Sequence, residues 1–481
     1  MNATGKTVLW TAEQAAQATG GINTANWEAT GLSLNTRTIE PGDLFFALQG
    51  PTFDGHDFVR DAFDKGASVA VVHHAIENLP DNAPLLKVDD TLAALNRMGA
   101  AARSSSPAKF VGVTGSAGKT SVKEALAHCL GEQAVTSASA ASFNNHWGVP
   151  LSLCRMHPDS AFAINEMGMS AAGEIRELTK LVQPDVAIIT TIAPAHMEFF
   201  NSLEEIAAAK SEIFESMSAD GIAILNRDHE LFEQMAAAAR TSGVTDIRTF
   251  GYHPDATYRV LRADCQADRS VIEANLRGME VAFTLASPGE HWIMNAAAVL
   301  AAVDALGADI ERAMASLATL PGLSGRGERS TLALPQGKGT VHLIDESYNA
   351  NPASVRAMLK MLGEQKPAGT GRRIAVLGDM LELGRDSERF HGELSEPVME
   401  NSIDAVYACG SQMQALKKSL SNDLVVVHEA SSTELTSRLL PDLQDGDIIA
   451  VKGSLGSRMA VVVEALKTMD KTNKLTGKGE A

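Results

Sequence analysis

A glycine-rich segment followed by a lysine and a threonine is the first place where the sequence predicts chemistry. It comes after an apolar run, residues 110–113, and before a helical pattern. Glycines let backbone N–H groups curl around phosphate oxygens, while a helix N-terminus and a lysine add positive charge. A threonine hydroxyl after the lysine can ligate Mg²⁺. The segment therefore predicts a phosphate-binding loop made of Gly115, Ser116, Ala117, Gly118, Lys119, Thr120 and Ser121.

The spacing of this loop is shorter than that of the standard P-loop. Two residues separate Gly115 from Gly118, where the standard pattern has four. A glycine-rich turn formed by chance is the alternative, but strand, turn, Lys-Thr and helix all occur in order. The shortened form resembles the loop of the Mur ligase and folylpolyglutamate synthetase superfamily.

Three residues downstream of the loop are similar to the metal-binding residues of that family. Glu166 ends one predicted strand, His196 follows another, and Lys210 lies on a predicted helix. The carboxyl ends of strands are where open α/β sheets bind ligands. The resemblance implies an Mg²⁺ site made by Thr120, Glu166, His196 and Lys210. A capping glutamate and a structural histidine are the alternatives.

Lys210 lies between small and apolar residues, and the matching lysine of the family is carbamylated by CO₂. A desolvated lysine loses its charge more readily. The carbamate then offers hard oxygen ligands that suit Mg²⁺. The resemblance therefore implies carbamylated Lys210, whereas the residue alone would favour a lysine that extends to the surface.

Three polar residues farther along the chain are similar to the ATP-binding residues of the family. Asn295 lies on a long helical pattern, Arg326 in a Ser/Gly-rich break, and Asp345 at the end of a strand. An amide can pair with both polar atoms of one adenine edge. The resemblance implies that Asn295 binds adenine, with His291 nearby, that Arg326 reaches the terminal phosphate, and that Asp345 binds ribose. Solvated side chains are the alternative for Asn295 and Arg326.

The most diagnostic string is Asp345-Glu346-Ser347-Tyr348-Asn349-Ala350-Asn351-Pro352. It resembles Mur ligases that add D-alanyl-D-alanine, and Gly378-Asp379-Met380-Leu381-Glu382-Leu383-Gly384 agrees with this. The resemblance implies that the substrate contacts Tyr348, Asn349 and Asn351.

The first hundred residues resemble the domain of the two later Mur ligases that binds uridine diphosphate. Thr36 and Arg37 are the implied contacts, while Asn35 stands where Asp or Ser is expected, so the contact there stays open. Asn144 and Asn145 begin a loop similar to the one that holds the muramoyl group.

The activity implied by the resemblance is ATP-dependent ligation of D-alanyl-D-alanine to UDP-N-acetylmuramoyl-tripeptide in peptidoglycan precursor synthesis. It would proceed through an acyl phosphate, with ATP and Mg²⁺, and give the UDP-linked pentapeptide, ADP and phosphate. Another Mur-type or folylpolyglutamate synthetase-like ligase and a non-catalytic nucleotide-binding protein are the alternatives. The third residue of the tripeptide, diaminopimelate or lysine, stays open.

Composition limits the classes of partner. The formal net charge is −18, which argues against binding to nucleic acid or to an anionic membrane. The four cysteines are scattered with no CxxC pair, so a disulfide framework or a structural zinc site is not expected. The N-terminus carries no apolar signal core and no run of about 18 apolar residues occurs. We therefore expect a bacterial cytoplasmic enzyme without membrane insertion, and the family implies a monomer.

The pattern of apolar runs predicts three α/β domains. Strand-like runs at 44–48 and 68–72 belong to a small mixed domain at 1–107. Beyond it, strands at 186–192 and elsewhere alternate with helices such as 206–217, which is typical of a parallel sheet. Alternation in 258–285 suggests added antiparallel strands.

After the Pro/Gly break at 321–325 the βα pattern restarts. The chain is therefore divided into a UDP-binding domain at 1–107, a central P-loop-type ATPase domain with a mostly parallel sheet at 108–322, and a Rossmann-like domain at 323–481. The last domain would close on ATP about a hinge at 322–325 and bind the dipeptide. The charged tail, 471–481, is predicted to be disordered.

Overall fold

The computed structural model describes residues 6–77, 79–80, 82–140, 142–194, 197–266 and 268–476, with only the backbone described for 471–476. Three successive parts of the chain each build their own main sheet, of five, nine and six strands. The predicted fold class, three α/β domains with mostly parallel sheets, is confirmed. The predicted boundary at 107 lies between a helix that ends at Ser105 and a strand that begins at Lys109.

The first domain has a five-stranded mixed sheet in the order β2-β7-β6-β5-β4, plus the small antiparallel pair β1-β3. Its apolar strands are buried because helices cover them on both sides. Its elements are β1 (Trp10–Thr11), α1 (Ala12–Thr19), β2 (Ile22–Asn23), β3 (Glu28–Ala29), β4 (Gly31–Ser33), β5 (Asp43–Phe46), α2 (Val59–Asp64), β6 (Val69–Val72), β7 (Leu85–Lys87) and α3 (Thr91–Ser105).

The central domain has a nine-stranded sheet in the order β16-β15-β14-β13-β12-β11-β8-β10-β9. The seven strands from β9 to β14 in this order are parallel, and β15 and β16 extend the sheet antiparallel. Its elements are β8 (Lys109–Thr114), α4 (Lys119–Gly131), β9 (Thr136–Ala138), α5 (Gly148–Cys154), β10 (Phe162–Glu166), α6 (Glu174–Val182), β11 (Val186–Ile189), α7 (Leu203–Ser211), β12 (Ile222–Asn226), α8 (Phe232–Thr241), β13 (Asp246–Gly251), β14 (Tyr258–Cys265), β15 (Ser270–Leu276), β16 (Met279–Leu285), α9 (Glu290–Ala305) and α10 (Ile310–Leu317).

Helices cover both faces of the central sheet, so its inner strands are apolar on both sides. Helices α4, α9 and α10 pack on one face and α5 to α8 on the other. Helix α9 is alanine-rich and almost wholly buried, which lets it lie close to the sheet. Strand β8 lies at the centre, and the phosphate loop follows its carboxyl end.

Two predicted elements of the central domain differ in length from the structure. The run 186–192 forms a strand only to Ile189, because Thr190 turns to bond the phosphate loop. The predicted helix 206–217 ends at Ser211 and continues as a 3₁₀ turn, Glu212–Phe214. The antiparallel strands expected in 258–285 are confirmed.

The C-terminal domain has a six-stranded sheet in the order β17-β18-β22-β19-β20-β21, with only β17 antiparallel. Two apolar cores lie on its two faces. Its elements are β17 (Glu328–Ala333), β18 (Thr340–Glu346), α11 (Pro352–Gly363), β19 (Arg373–Gly378), α12 (Ser387–Gly392), α13 (Ser395–Glu400), β20 (Ala405–Cys409), α14 (Met413–Ser419), β21 (Val425–Glu429), α15 (Ser432–Leu439), β22 (Ile448–Lys452) and α16 (Ala460–Thr476).

The end of the described chain corrects one expectation. Helix α16 continues to Thr476, so residues 471–476 are helical rather than disordered. Their composition lacks a Pro or Gly that would end the helix before Gly477. Within the described residues, none of the helices combines the length and apolar character needed to cross a bilayer.

Candidate active site at the phosphate loop

The phosphate loop needs its glycines for close approach. Gly115 has φ +147°, and a Cβ there would lie 1.9 Å from Thr190 Oγ1. Gly118 has φ +82°, and a Cβ there would lie 2.7 Å from Asn295 Oδ1. Both backbone conformations favour glycine. The loop is therefore shaped by contacts to β11 and α9 as well as by its own sequence.

Two hydroxyl groups at the loop are positioned to accept a ligand. Within the described part of the chain, Ser116 Oγ and Thr114 Oγ1 are buried without a hydrogen-bond partner. Unpaired buried polar atoms are rare in native structures and call for a bound group. Their location at the phosphate loop and the carboxyl end of β8 fits a bound polyphosphate.

Lys119 lies over the loop and donates from Nζ to the Gly115 carbonyl at 2.7 Å. Burial lowers its pKa; the charge of Glu166 opposes this shift, and that of Arg326 adds to it. A lysine held between a carboxylate and an arginine can turn toward the terminal phosphates of a nucleotide.

Thr190, to which the sequence analysis gave no role, ties the loop to β11. Its hydroxyl bonds the Ala117 carbonyl at 2.5 Å and lies 3.2 Å from the Thr114 carbonyl. The only sequence signal was a polar residue after the apolar strand β11. Such a residue lies beside the loop because β11 pairs with β8.

Glu166 and Thr120 form a compact oxygen-rich cluster beside the loop. Thr120 Oγ1 donates to Glu166 Oε2 at 2.7 Å, and Asn144 Nδ2 donates to Oε1 at 2.7 Å. The glutamate is 1% exposed, and its backbone N–H donates to Ser139 Oγ at 3.2 Å. A buried carboxylate with hard oxygen neighbours fits a cation such as Mg²⁺. The alternative of a capping glutamate on the surface does not fit this burial.

Lys210 is buried on α7, with 1% of the residue exposed. Burial, together with the charge of Lys119, lowers its pKa well below the usual value. The alternative of a lysine that extends to the surface therefore does not hold. His196, the fourth predicted metal ligand, lies outside the described residues.

Asn295 and His291 both lie near the start of α9, one turn apart. Asn295 is 8% exposed and faces Gly118 of the loop. Burial lowers the pKa of His291; the charge of Glu346 opposes this shift and that of Lys452 adds to it. The solvent-facing alternative for Asn295 is thus excluded, and its amide lies beside the phosphate loop.

The pair Glu346–Lys452 is a second feature that the sequence analysis missed. The two side chains form an ion pair at 3.1 Å with exposed fractions of only 13% and 5%. They are register partners at the carboxyl ends of β18 and β22. Burial would raise the pKa of Glu346, but Lys452, followed by His291, outweighs it and lowers the pKa. The pair thus brings charge to the boundary between the last two domains.

Arg326 and Asp345 lie where the central and C-terminal domains join. The Arg326 guanidinium lies 4.0 Å from the centre of the Tyr348 ring and 3.5 Å from Ser142 Oγ. Asp345 is 2% exposed and accepts bonds from the Gly325 N–H at 3.1 Å and the Ser347 hydroxyl at 2.6 Å. Asp345, the residue predicted to bind ribose, therefore also holds the hinge segment at Gly325 in place.

The string after β18 contacts the phosphate loop directly. Asn351 caps α11 by accepting from the Ser354 N–H at 2.8 Å, and its Nδ2 lies 3.4 Å from the Ser116 carbonyl. Asn349 accepts from the Ala350 N–H at 2.9 Å. Asn351 is thus brought to the phosphate loop, whereas the bond of Asn349 shapes the local turn.

The predicted uridine diphosphate contacts of the first domain lie in a short turn after β4. Thr36 and Arg37 form a 3₁₀ turn, Thr36–Thr38, which Asn35 caps by accepting from the Arg37 N–H at 3.0 Å. Thr36 is 8% exposed and Arg37 is exposed. Asn35 therefore performs the cap that the expected Asp or Ser would provide.

Asn144 and Asn145 lie on the segment that leads into α5. Asn144 holds Glu166, whereas Asn145 Oδ1 accepts from the backbone N–H groups of Trp147 and Gly148 at 3.1 and 2.9 Å. Both side chains position the loop before α5. The amide of Asn144 is thus part of the oxygen cluster, a location that the sequence alone did not predict.

Comparison with protein families gives three matches along the chain. The Mur ligase family catalytic domain matches residues 28–127, the Mur ligase middle domain 113–303, and the Mur ligase glutamate ligase domain 332–455.

Individual relatives match over most of their length. The UDP-N-acetylmuramoyl-tripeptide--D-alanyl-D-alanine ligase of Rickettsia prowazekii is 33% identical, over 90% of this chain and 94% of the relative. The enzyme of the same description from Escherichia coli is 34% identical, over 93% and 96%.

Solved structures give the same picture for the fold. A crystal structure of MurF from Acinetobacter baumannii has a TM-score of 0.82 and 30% identity, covering 95% of this chain and 98% of that one. MurF ligase from Thermotoga maritima in complex with ADP has a TM-score of 0.76 and 25% identity, covering 92% and 98%. The similarity extends through all three sheets and through the phosphate loop, so the chain belongs to the Mur ligase family.

Proposed function

We propose that this chain is the ATP-dependent ligase that joins D-alanyl-D-alanine to UDP-N-acetylmuramoyl-tripeptide. The observation that carries the proposal is the assembly of Lys119, the Thr120–Glu166 pair, buried Lys210 and the Asn351 loop around one phosphate loop. The relatives that match along more than nine-tenths of their own length carry this activity in their names. The product is the UDP-linked pentapeptide, with ADP and phosphate.

Transfer of the terminal phosphoryl group of ATP to the tripeptide carboxylate requires positioning and charge neutralisation. The loop N–H groups and the Ser116 hydroxyl hold the phosphates, and Lys119 and Arg326 face the transferred group. The amine of D-alanyl-D-alanine then attacks the acyl phosphate and expels phosphate. Both partners of the new amide bond come from substrates, so no protein nucleophile is needed.

Mg²⁺ fits the donor set that Thr120 and Glu166 present, because both supply hard oxygens in a buried position. Bound there, the ion supplies neutralisation of the charge that develops on the phosphates. Asn144 orients the carboxylate by its bond to Oε1. We include His196 as a further ligand on resemblance alone.

Carbamylation of Lys210 completes the proposed metal site. Burial and the charge of Lys119 lower its pKa and so favour the neutral amine, which is the form that adds CO₂ with release of a proton. The resulting carbamate is an anion in a buried place and would be stabilised by Mg²⁺ and Lys119. This converts an unfavourable buried amine into a metal ligand.

The three substrates are assigned to different parts of the chain in this proposal. Thr36 and Arg37 bind the uridine diphosphate part, with Asn144 and Asn145 toward the muramoyl group. Asn295 binds adenine and Asp345 the ribose of ATP. The dipeptide would bind on the C-terminal domain beside Tyr348, Asn349 and Asn351.

Two exposed leucines suit the apolar methyl groups of that dipeptide. Leu381 and Leu455 are 44% and 66% exposed and follow the carboxyl ends of β19 and β22. The Leu381 N–H donates to Ser454 Oγ at 2.9 Å, and Ser454 Oγ lies 3.3 Å from the Ala350 carbonyl. The leucines are therefore linked through Ser454 to the string that contacts the phosphate loop.

Location, oligomeric state and domain limits belong to the same proposal. We place the enzyme in the bacterial cytoplasm as a monomer, with domains at 1–107, 108–322 and 323–481. The four free cysteines, three of them buried, suit a reducing compartment. Light scattering on the purified chain would measure the monomer mass, and a dimer mass would contradict that part.

The test is phosphate release from ATP with Mg²⁺, UDP-muramoyl-tripeptide and D-alanyl-D-alanine, each omitted in turn. We expect release only with both substrates, together with the UDP-linked pentapeptide detected by mass spectrometry. Phosphate release with a different amino acceptor would support the ligase chemistry of the family but contradict D-alanyl-D-alanine as the acceptor. ATP binding without release under any combination would favour a non-catalytic protein.

A further inference from the structure

Three histidines and an aspartate lie together in the first domain, and none of the four was assigned a role in the site described above. Asp54 and His56 belong to the 3₁₀ turn after β5, and His73 and His74 follow β6. A ring nitrogen of each histidine lies within 4.8 Å of a ring nitrogen of the other two. We call Asp54, His56, His73 and His74 the histidine cluster.

Hydrogen bonds fix the tautomer of His56 and the position of Asp54. His56 Nε2 accepts from the His73 backbone N–H at 3.1 Å, so the proton lies on Nδ1. Nδ1 then donates to Asp54 Oδ1 at 2.6 Å, and Oδ1 also accepts from the His56 backbone N–H at 2.9 Å. His56 is 3% exposed, so this arrangement is held firmly and leaves Asp54 Oδ2 for another partner.

His74 lies beside that second carboxylate oxygen. Its Nδ1 lies 3.0 Å from the Ala75 carbonyl, which can only accept, so Nδ1 carries a proton. Its Nε2 lies 3.4 Å from Asp54 Oδ2. Partial burial opposes ionisation of Asp54, but hydrogen bonds from His56 and His74 outweigh it and lower the pKa to about 2. The contact between Nε2 and Oδ2 can be made by a second proton on the imidazole or by a metal ion that both atoms bind.

His73 supplies a third lone pair by the same reasoning. The Thr91 hydroxyl donates to the Ala47 carbonyl at 3.0 Å, so its oxygen can only accept from a further partner. His73 Nδ1 makes a long contact of 3.5 Å to that oxygen, which suits a proton on Nδ1. In that tautomer the other ring nitrogen of His73 is an acceptor.

We propose that Asp54 Oδ2, His74 Nε2 and the acceptor nitrogen of His73 bind one divalent transition-metal ion of the Zn²⁺ class. His56 acts as a positioning residue that orients Asp54. Imidazole ligands suit zinc, nickel and copper rather than Mg²⁺, so the site is chemically separate from the one at the phosphate loop. Three protein ligands leave one tetrahedral position for water.

One side-chain movement completes the site. The rings of His56 and His74 stack at 3.8 Å with an angle of 21°, and a metal ion lies in the plane of the imidazole that binds it. The His74 side chain is 48% exposed, so its ring can tilt away from the His56 ring while Nε2 stays beside Asp54 Oδ2. His73 moves less, because its backbone N–H is bonded to His56.

The ion would connect the loop after β5 to the end of β6. The same loop carries Phe53, whose ring meets Trp147 of the central domain edge-on at 6.2 Å between centroids. Binding would therefore immobilise a loop that lies between the first two domains. Slower amide hydrogen exchange in residues 49–58 on adding Zn²⁺ is the expected signature.

The experiment is calorimetric titration of the full chain with Zn²⁺ in excess Mg²⁺, with Co²⁺ absorption as a second probe of geometry. We expect one tight equivalent that weakens about tenfold or more in His74→Ala and Asp54→Asn. His253→Ala is the matched control, because His253 Nδ1 lies 3.8 Å from Asp255 in a surface pair and should not affect binding. Circular dichroism checks that each variant folds.

Equal Zn²⁺ affinity in wild type, His74→Ala and Asp54→Asn would overturn the proposal. The absence of a tightly bound equivalent of Zn²⁺ would also overturn it. A His74 ring that titrates by NMR as the partner of Asp54 would then show that a proton, not a metal ion, makes their contact. Loss of Zn²⁺ binding in the two variants, with Mg²⁺ binding at the phosphate loop unchanged, would support the site.

Discussion

The buried amine of Lys210 determines which chemistry is available beside the phosphate loop. Lys210 is 1% exposed, and its pKa is lowered by burial and by the charge of Lys119. A group of this kind destabilises the folded state at every pH below its unfolded pKa, because folding must remove its proton or bury its charge. The chain retains a residue here that destabilises its fold, which is typical of functional positions.

Replacing Lys210 by alanine should lower kcat severely, by about 100-fold or more, because a proposed ligand of the metal ion is lost. Added short carboxylic acids should restore part of the activity by taking the place of the carbamate. Phosphate release measures both effects. A variant as active as the wild type would eliminate the carbamate.

Replacing Lys210 by methionine should raise the melting temperature in CO₂-free buffer while activity is lost. The sign follows from the lowered pKa: the folded state binds fewer protons than the unfolded state, so the penalty is present at neutral pH and shrinks as pH rises toward the unfolded value. Calorimetric melts at pH 7 and pH 10 should show the stability difference narrowing. A difference independent of pH would contradict the assignment.

The exposed leucine after β19 gives a test of the dipeptide side. Leu381→Asp should raise the KM for D-alanyl-D-alanine roughly tenfold, because an apolar contact is replaced by a charge, with the KM for ATP unchanged. Met399→Asp is the control, since Met399 is a similarly exposed apolar residue of the same domain, at 54%. Equal effects of the two substitutions would remove Leu381 from the acceptor site.

At the scale of elements, the loop between β8 and α4 was predictable because its signal is contiguous in the sequence. Gly115, Gly118, Lys119 and Thr120 lie within six residues, and strand and helix flank them. The groups that hold the loop come from distant elements. Thr190 and Asn144 carry no motif of their own, and only the pairing of β8 with β10 and β11 brings them near.

Gly115→Ala should disrupt ATP binding more than it disrupts the fold. The new Cβ would meet Thr190 Oγ1 at 1.9 Å at a φ of +147°, so the loop must shift away from β11. A shift of about 1 Å costs about 100-fold in turnover. Gly131→Ala is the control, because a Cβ at this end of α4 meets nothing within 4 Å. Nucleotide binding measured by fluorescence distinguishes the two, and similar affinities would contradict the role of the loop.

At the scale of the whole molecule, the site depends on how the C-terminal domain meets the central one. The contacts that join them include the Asn351–Ser116 bond at 3.4 Å and the Lys360–Glu290 pair at 2.5 Å. The latter pair is more than half exposed and so contributes little. The three sheets and their order were predictable from apolar patterns, whereas the arrangement of the domains depends on such scattered polar contacts.

The chain should therefore become more compact on binding ATP analogue and UDP-substrate, with residues 322–325 as the hinge. Gly325 has φ +72°, and a Cβ there would lie 3.0 Å from Tyr348 Cβ, so Gly325→Ala should reduce this compaction. Gly243→Ala is the control, because Gly243 has φ +92° but its Cβ would meet nothing within 4 Å. Solution scattering with and without ligands measures the change. An unchanged radius of gyration in the wild type would mean that the site is assembled without domain closure, and water would then have to be excluded by the substrates themselves.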